Sequence, residues 1–386
     1  VKYESRVSSS DSTSDRGSTF TLWTISTKNR ILLHSQSGGA AGKWPRAVTR
    51  PTGGRVLHAS FQEPSMTSRQ HPLHSGFGAA STASDVLADL DLRGKTAIVT
   101  GGHSGLGLET TRALAQAGAT VVVGARHVDA AREATRGIDG VEIAALDLAD
   151  LASVATFAAR FVDGRRNVDI VINSAGIMAC PETRVGDGRE AQMAVNHLGH
   201  YALVNGLWPV LAHGGGARVV AVSSLGHRLS PIRWDDVQFA HGYDKWLAYG
   251  QSKTANALFA VQLDALGAPF GVRAYSLHPG KIATPLQRHL TREEMMAQGW
   301  VDEHGVPVDP TFKTPAQGAA TQVWAATSPR LAAIGGIYCE DCDVAVVTQG
   351  NEEFGVRPHA IDPDEAARLW AWSAKLTGID AFAASR

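Results

Sequence analysis

Tyr249-Gly250-Gln251-Ser252-Lys253 sets a phenol and a primary amine four residues apart. In a helix, that spacing places both on one face, one turn from each other. A free phenol has a pKa of roughly 10, too high to exchange protons readily at neutral pH. A nearby ammonium, together with the positive charge of a bound oxidised cofactor, favours the phenolate and is expected to pull that value down by about 2–3 units. The pair would then act as a tuned proton donor. Taken alone it is weak evidence, since Tyr and Lys are common residues.

A second chemistry lies upstream. Thr100-Gly101-Gly102-His103-Ser104-Gly105-Leu106-Gly107 follows a short apolar run, Ala97-Ile98-Val99, and opens a segment with helical spacing, Leu106–Ala117. Glycines let a backbone turn tightly and approach a pyrophosphate at a helix N-terminus. There the free N–H groups and the helix dipole favour an anion. The alternative is a plain Gly-rich turn.

The elements that must carry these groups read as an α/β fold. Thr120–Val123, Val141–Leu146, Val168–Ile172, Arg218–Val222 and Val272–Leu277 are further short apolar runs, with helical segments between them. Near-continuous apolar strands alternating with helices predict a parallel sheet buried on both faces. Right-handed crossovers then make it a single Rossmann-type doubly wound sheet with helices on both faces. Ala83–Leu90 reads as a short outer helix. Thr314-Pro315-Ala316-Gln317 and Asp362-Pro363-Asp364-Glu365 announce two more helices, ending before Ser328 and near Gly378. Pro285–Pro310 is irregular, with Met295, Met296 and Trp300 among charges, and reads as a functional loop or lid.

The chain has 386 residues, 44% hydrophobic and 19% charged, with a net charge of -1. That balance gives no basic excess for nucleic acid and no acidic interaction tail. No stretch of about 18 apolar residues predicts a membrane span. Three cysteines, Cys180, Cys339 and Cys342, are too few for a disulfide framework, so a cytoplasmic location is expected. Cys339-Glu340-Asp341-Cys342 lacks a second pair and reads as a turn, and no metal site is expected. Residues 1–65 are rich in Ser, Thr, Gly and Arg without periodicity. Such a segment cannot offset its ordering entropy. Residues 1–80 are therefore expected to be a disordered extension and 81–386 one domain. Met66 is the expected true start, with a targeting peptide as the alternative.

The glycine spacing, with the Tyr and Lys pair downstream, resembles the short-chain dehydrogenase/reductase family over about residues 87–386. That resemblance implies an oxidoreductase moving a hydride between a nicotinamide cofactor and a small-molecule carbonyl or alcohol. Ser224, in Val222-Ser223-Ser224, stands where the family keeps its catalytic Ser, and Ser223 is expected to point into the sheet. Asn196, in Val195-Asn196-His197-Leu198-Gly199-His200, matches the catalytic Asn, which positions a water as a proton relay to Lys253. Its alternative role is repair of the helix backbone. His197 and His200 read as satisfied core residues rather than metal ligands.

The resemblance also implies the cofactor contacts. Gly101, His103, Ser104, Gly105, Leu106 and Gly107 form the phosphate cradle, while Tyr249 and Lys253 reach the nicotinamide end. Asp147 and Leu148 contact the adenine, with helix capping as the alternative for Asp147. Asn173, Ala175 and Gly176 brace the sheet and line the cleft; Ser174 departs from the usual Asn-Asn-Ala-Gly. Pro279, Gly280, Ile282 and Thr284 follow the sixth run and cover the nicotinamide, with an N-cap as the alternative for Thr284. Ala125 stands where NAD-type members carry an acid for the ribose 2′-hydroxyl, and Arg126 follows. A guanidinium clamps a 2′-phosphate with paired hydrogen bonds, so NADP(H) is the expected cofactor.

Ala248-Tyr249, Asn256-x-Leu258-Phe259, Ile177-Met178 and Ser223-Ser224 with His227 look like the retinol-dehydrogenase-like branch and its bacterial oxidoreductases. Gly76–Thr82 resembles their N-termini. Met178, Met295, Met296 and Trp300, and the insert Pro231–Leu247 with Trp234 and Trp246, are candidates for a lipophilic substrate wall. Two other functions stay open: reduction of a carbon–carbon double bond, and a sensor that binds NADP(H) without turnover. Both homodimer and monomer are compatible with this branch.

Overall fold

A computed structural model describes residues 69–213 and 215–383, all within one compact unit, Gln62–Arg386. Met66 and the rest of residues 1–68 lie outside the described residues. The chain order is α1 (Ala83–Leu87), β1 (Thr96–Thr100), α2 (Gly105–Gln116), β2 (Thr120–Ala125), α3 (Val128–Ala134), β3 (Val141–Ala145), α4 (Leu151–Asp163) and β4 (Ile170–Asn173). A small hairpin, β5 (Arg184–Val185) and β6 (Arg189–Glu190), leads into a short helix, Ala191–Met193. That helix widens through a π-helical stretch, Ala194–Leu198, and continues as α5 (Gly199–Leu211). Then come β7 (Arg218–Val222), α6 (Lys245–Gly267), β8 (Arg273–His278), α7 (Arg292–Ala297), α8 (Pro315–Thr327), β9 (Ile337–Glu340), β10 (Asp343–Val344) and α9 (Pro363–Thr377).

The large sheet runs β10-β9-β8-β7-β4-β1-β2-β3, parallel throughout except for β10 against β9. Why the strands read as unbroken apolar runs is visible residue by residue. Ala97 and Val99 enter the core beneath α2 and α8, whereas Ile98 enters the core beneath α4, α5 and α6. Val121 and Val123 divide from Val122 in the same way. Alternate side chains point to opposite faces, so a sheet covered on both sides must be apolar at every position. Each fully buried Val or Ile contributes about 1.5–3 kcal/mol.

The chain passes from β1 to β2 and β3 on one side, then returns to β4, β7, β8 and β9 on the other. The reversal between β1 and β4 opens a crevice at the strand C-termini, where ligands of such sheets bind.

Three details differ from expectation. Strands β9 and β10 lay hidden in the sequence because β9 is only four residues long and merges with the Cys339–Cys342 turn. Order was expected from Ser81, with 1–80 disordered, yet Gln70 is buried as an extra rung on β9. Its Nε2 donates to the Tyr338 and Ala345 carbonyls at 2.7 Å each, and its Oε1 accepts from the Tyr338 N–H at 3.0 Å. Asp343 accepts from the N–H groups of Leu73 and Ser75. The packed chain therefore begins before residue 80. Finally, Pro285–Pro310 is not wholly irregular: it holds a 3-10 turn, Pro285–Gln287, helix α7, and a bridge between Val301 and Pro307.

Candidate active site

Helix α2 starts at the floor of the crevice. Ser104 is its N-cap but makes no side-chain cap bond. The first N–H groups of any helix have no intrahelical acceptor, so those of Gly105, Leu106 and Gly107 are available to an anion. Gly107 is required by contact: a Cβ there would sit 2.4 Å from the Gly101 carbonyl oxygen. The imidazole Nδ1 of His103 is buried beside them and has no partner. Burial and the nearby His127 hold His103 below its usual pKa.

A cleft of about 1380 Å³ runs from this cradle across the strand ends. Gly101, His103, Ser104, Gly105, Leu106, Gly107, Arg126, Asp147, Leu148, Ala175, Gly176, Ser224, Tyr249, Lys253, Pro279, Gly280, Ile282 and Thr284 all line it. Two expected site residues do not. Asn173 is buried in β4 behind the wall, and Ser174 lines the cleft in its place. Thr100 pins that wall, its hydroxyl accepting from the N–H groups of Ser174 and Ala175 at 3.0 Å each.

Asn196 also stands behind the surface. Its Oδ1 accepts from the Ile177 N–H, and its Nδ2 donates to the Ile177 carbonyl and to the Ser252 hydroxyl, all at 2.9 Å. This side chain clasps the loop after β4 to α6 between Tyr249 and Lys253. These contacts run to the Ile177 backbone and to Ser252, not to the backbone of its own helix. Its own carbonyl accepts from His200 Nδ1 at 2.9 Å. That bond puts the proton on Nδ1, so Nε2 accepts from the Thr100 hydroxyl at 2.9 Å. His197 meets the Ser373 hydroxyl at 2.7 Å. Both rings are satisfied core residues, and among the described residues no cluster of three metal-ligating side chains occurs.

Asp147 takes neither expected form alone. Its carboxylate accepts from the Ala149 N–H in a local turn while lining the cleft; the helix cap is Asp150. Thr284 does cap the turn Pro285–Gln287 and also faces Gly105. Cys339, in β9, and Cys342, in the β9–β10 turn, are buried, unpaired thiols, and burial pushes both up.

Helix α6 carries Tyr249 and Lys253, and Asp244 caps its start by accepting from the N–H groups of Trp246 and Leu247. Tyr249 and Lys253 are each 4% exposed. Lys253 Nζ lies 5.6 Å from the centre of the Tyr249 ring and donates to the Val222 carbonyl at 3.0 Å. Burial pushes the Tyr249 hydroxyl up to about 12, partly offset by the Ser224 hydroxyl. Burial pushes Lys253 down to about 8. The sequence argument expected the amine to lower the phenol. In the protein alone, desolvation sets the direction at both groups, and the Ser224 hydroxyl is what opposes it at Tyr249. At neutral pH, Tyr249 therefore carries its proton and Lys253 is cationic.

Ser223 points inward, as expected, donating to the Lys253 carbonyl at 2.7 Å. Ser224 faces the cleft with its hydroxyl near Tyr249. Gly226 lies between them: a Cβ there would be 2.7 Å from the Tyr249 ring and 3.4 Å from Ser224 Oγ.

The other end of the cleft is apolar. Met178, Ala179, Tyr249 and Leu290 cluster with Trp246, Leu286, Met295 and Trp300. Trp246 meets Trp300 edge-on with centroids at 6.3 Å, and Trp300 meets Phe312 likewise. Of the residues named for an apolar wall, Met178, Met295, Trp300 and Trp246 lie in this cluster. Trp234 instead bonds Glu365 beneath Arg368, and Met296 is 41% exposed. An ion pair between Lys245 and Glu294 ties helix α7 to the start of α6. Leu286 and Phe312 were missed, since nothing in their local spacing marks them as pocket residues.

Known proteins match this arrangement. The family described as short chain dehydrogenase matches residues 95–295. A probable oxidoreductase of Streptomyces antibioticus is 46% identical over 77% of this chain and 100% of its own length. Retinol dehydrogenase 11 of Mus musculus is 37% identical over 76% of this chain and 89% of its own. A solved, uncharacterised protein from Mycobacterium paratuberculosis is 35% identical, with a TM-score of 0.60, over 78% of this chain and 98% of its own. Glycine cradle, doubly wound sheet and full-length relatives agree: the chain is an oxidoreductase belonging to the short-chain dehydrogenase family.

Proposed function

We propose that this enzyme is NADP(H)-dependent and interconverts a carbonyl and an alcohol on a lipophilic small molecule. The observation that carries the proposal is the joint placement of Ser224, Tyr249 and Lys253 at one point of the cleft, between the glycine cradle and the aromatic wall.

The residues present fit a dinucleotide. The open first turn of α2, the close approach at Gly107 and the unpartnered His103 Nδ1 suit a pyrophosphate. Arg126 is exposed at the end of β2, with His127 Nε2 3.3 Å from its Nε. Two cationic or donor side chains where an acid would hold a 2′-hydroxyl favour a 2′-phosphate. When bound, the cofactor supplies or accepts the hydride.

The chain's own groups do the rest. Ser224 and Tyr249 hydroxyls grip the substrate oxygen and stabilise charge developing there. Tyr249 holds the proton to be delivered, and its high affinity for that proton keeps it loaded at neutral pH. Lys253, fixed on the Val222 carbonyl, holds its positive charge 5.6 Å from the centre of this phenol ring. Trp246, Trp300 and Phe312 keep water from the apolar end.

The test follows NADPH and NADH binding by fluorescence in wild type and Arg126→Ala, then NADPH oxidation across a carbonyl panel. Arg126→Ala should weaken NADPH by about 10- to 100-fold and leave NADH nearly unchanged. Equal losses for both would contradict the 2′-phosphate role. Product analysis that finds only a saturated carbon–carbon bond, or binding with no turnover, would replace the carbonyl reading.

A further inference from the structure

The ladder between β7 and β8 ends at the Ser223 N–H, which donates to the Leu277 carbonyl at 2.8 Å. The next peptide, Ser224–Leu225, lies past the sheet, yet Ser224 keeps an extended backbone with φ -172 and ψ 161. Buried backbone groups beyond a ladder need other partners. Here side chains supply them, one from the next turn and two from distant parts of the chain.

The Ser224 carbonyl accepts from His227 Nδ1 at 2.7 Å and from the Tyr338 hydroxyl at 3.2 Å, besides the local His227 N–H at 3.1 Å. On the other side of the peptide, the Leu225 N–H donates to His278 Nδ1 at 3.1 Å. Each ring has a fixed tautomer. His227 Nε2 accepts from the Arg357 N–H at 3.1 Å, so its proton sits on Nδ1. His278 Nδ1 is an acceptor, so its proton sits on Nε2. His227 is 0% and His278 6% exposed, and burial holds both neutral, at about 4 and about 3. Neutral rings are what these bonds require, since an imidazolium has no acceptor.

We propose that His227 and His278, assisted by Tyr338, are positioning residues that clamp the Ser224–Leu225 peptide and so aim the Ser224 hydroxyl at Tyr249. The clamp rests on the reading of Ser224 as the hydroxyl that grips the substrate oxygen. A single peptide carries that aim, because Ser224 Oγ hangs on the residue whose carbonyl is held. Its own hydroxyl accepts from the Gly226 N–H at 3.0 Å, inside the same turn.

Side-chain amides separate this role from simple packing. Asn places its amide where Nδ1 of a histidine stands, and Gln where Nε2 stands. His227→Asn and His278→Asn can keep the bond to the clamped peptide; His227→Gln and His278→Gln cannot. The experiment measures kcat, KM, dinucleotide affinity and Tm for all four, with Ser224→Ala alongside. Each Gln variant should lose kcat by on the order of 10- to 100-fold with dinucleotide affinity kept, and each Asn variant should recover most of it. Asn and Gln variants of equal kcat, or kcat falling only in step with Tm, would overturn the clamp. Active Gln variants beside an inactive Ser224→Ala would overturn the clamp alone; an active Ser224→Ala would overturn the underlying reading with it. Should the Gln variants fail to fold, Tyr338→Phe decides: a fall in kcat of about 5-fold supports the clamp, and unchanged kcat overturns it.

Discussion

Lys253 lies one helical turn beyond Tyr249, yet its ammonium bonds the Val222 carbonyl at 3.0 Å and stands 5.6 Å from the centre of the phenol ring. The amine is thus anchored to the end of β7, and the phenol is left free to face the cleft. Burial weakens this amine's hold on its proton and brings it nearer neutrality than a free lysine.

That gives a pH prediction. Burial brings Lys253 down to about 8, so its charge is present below that point and lost above it. The kcat/KM for the dinucleotide, which reports ionisations of the free enzyme, should fall as pH rises through about 8. Lys253→Arg, whose guanidinium stays charged to about pH 12, should remove that inflection even if activity drops. A wild-type profile flat across this region would contradict the assignment.

Gly226→Ala should act on Tyr249 without touching the fold. The new methyl would fall 2.7 and 2.9 Å from two ring carbons, and an aromatic ring cannot bend away. Movement of the ring should lower kcat by on the order of 10- to 100-fold. Steady-state kinetics and dinucleotide titration check this; unchanged kcat would show that the ring has room to shift.

Four buried histidines predict acid lability. His197, His200, His227 and His278 are held at about 3, 4, 4 and 3 against an ordinary 6.5. Between pH 6.5 and about 4 the unfolded chain binds more protons than the folded one. Stability should therefore fall as pH drops through that window, with each ring contributing to the loss. Tm followed against pH, in wild type and in His197→Gln, measures it. A Tm independent of pH there would mean that these rings are not buried neutral.

Trp300 lines the apolar end of the cleft. Trp300→Ala opens the contact with Trp246 and Phe312. Losing roughly 1.5–3 kcal/mol of apolar contact should raise KM for a bulky apolar ketone by about 10-fold or more. A short aldehyde that does not reach the wall should keep its KM. Equal changes for both would contradict this placement.

The sequence made the sheet legible because every strand of a doubly covered sheet must be apolar at each position, as Ala97, Ile98 and Val99 are. It made Tyr249, Lys253 and the cradle legible because their spacing is local. It could not show that Asn196 turns its side chain to Ile177 and Ser252, since those partners lie 19 and 56 residues away. Nor could it show that desolvation would dominate at Tyr249, which depends on everything packed around α6. Trp234 and Trp246 looked alike in one insert; only the fold sends one to Glu365 and the other to the cleft. Gln70 reads as part of a polar tail until β9 supplies the edge it completes.

The central claim is that Tyr249 holds the proton delivered to the substrate oxygen. Single-turnover reduction of a carbonyl substrate by Tyr249→Phe, with NADPH affinity measured on the same preparation, tests it most directly. The account predicts wild-type NADPH affinity and a loss of the reduction step on the order of 100- to 10,000-fold. Near-normal reduction by that variant would contradict it.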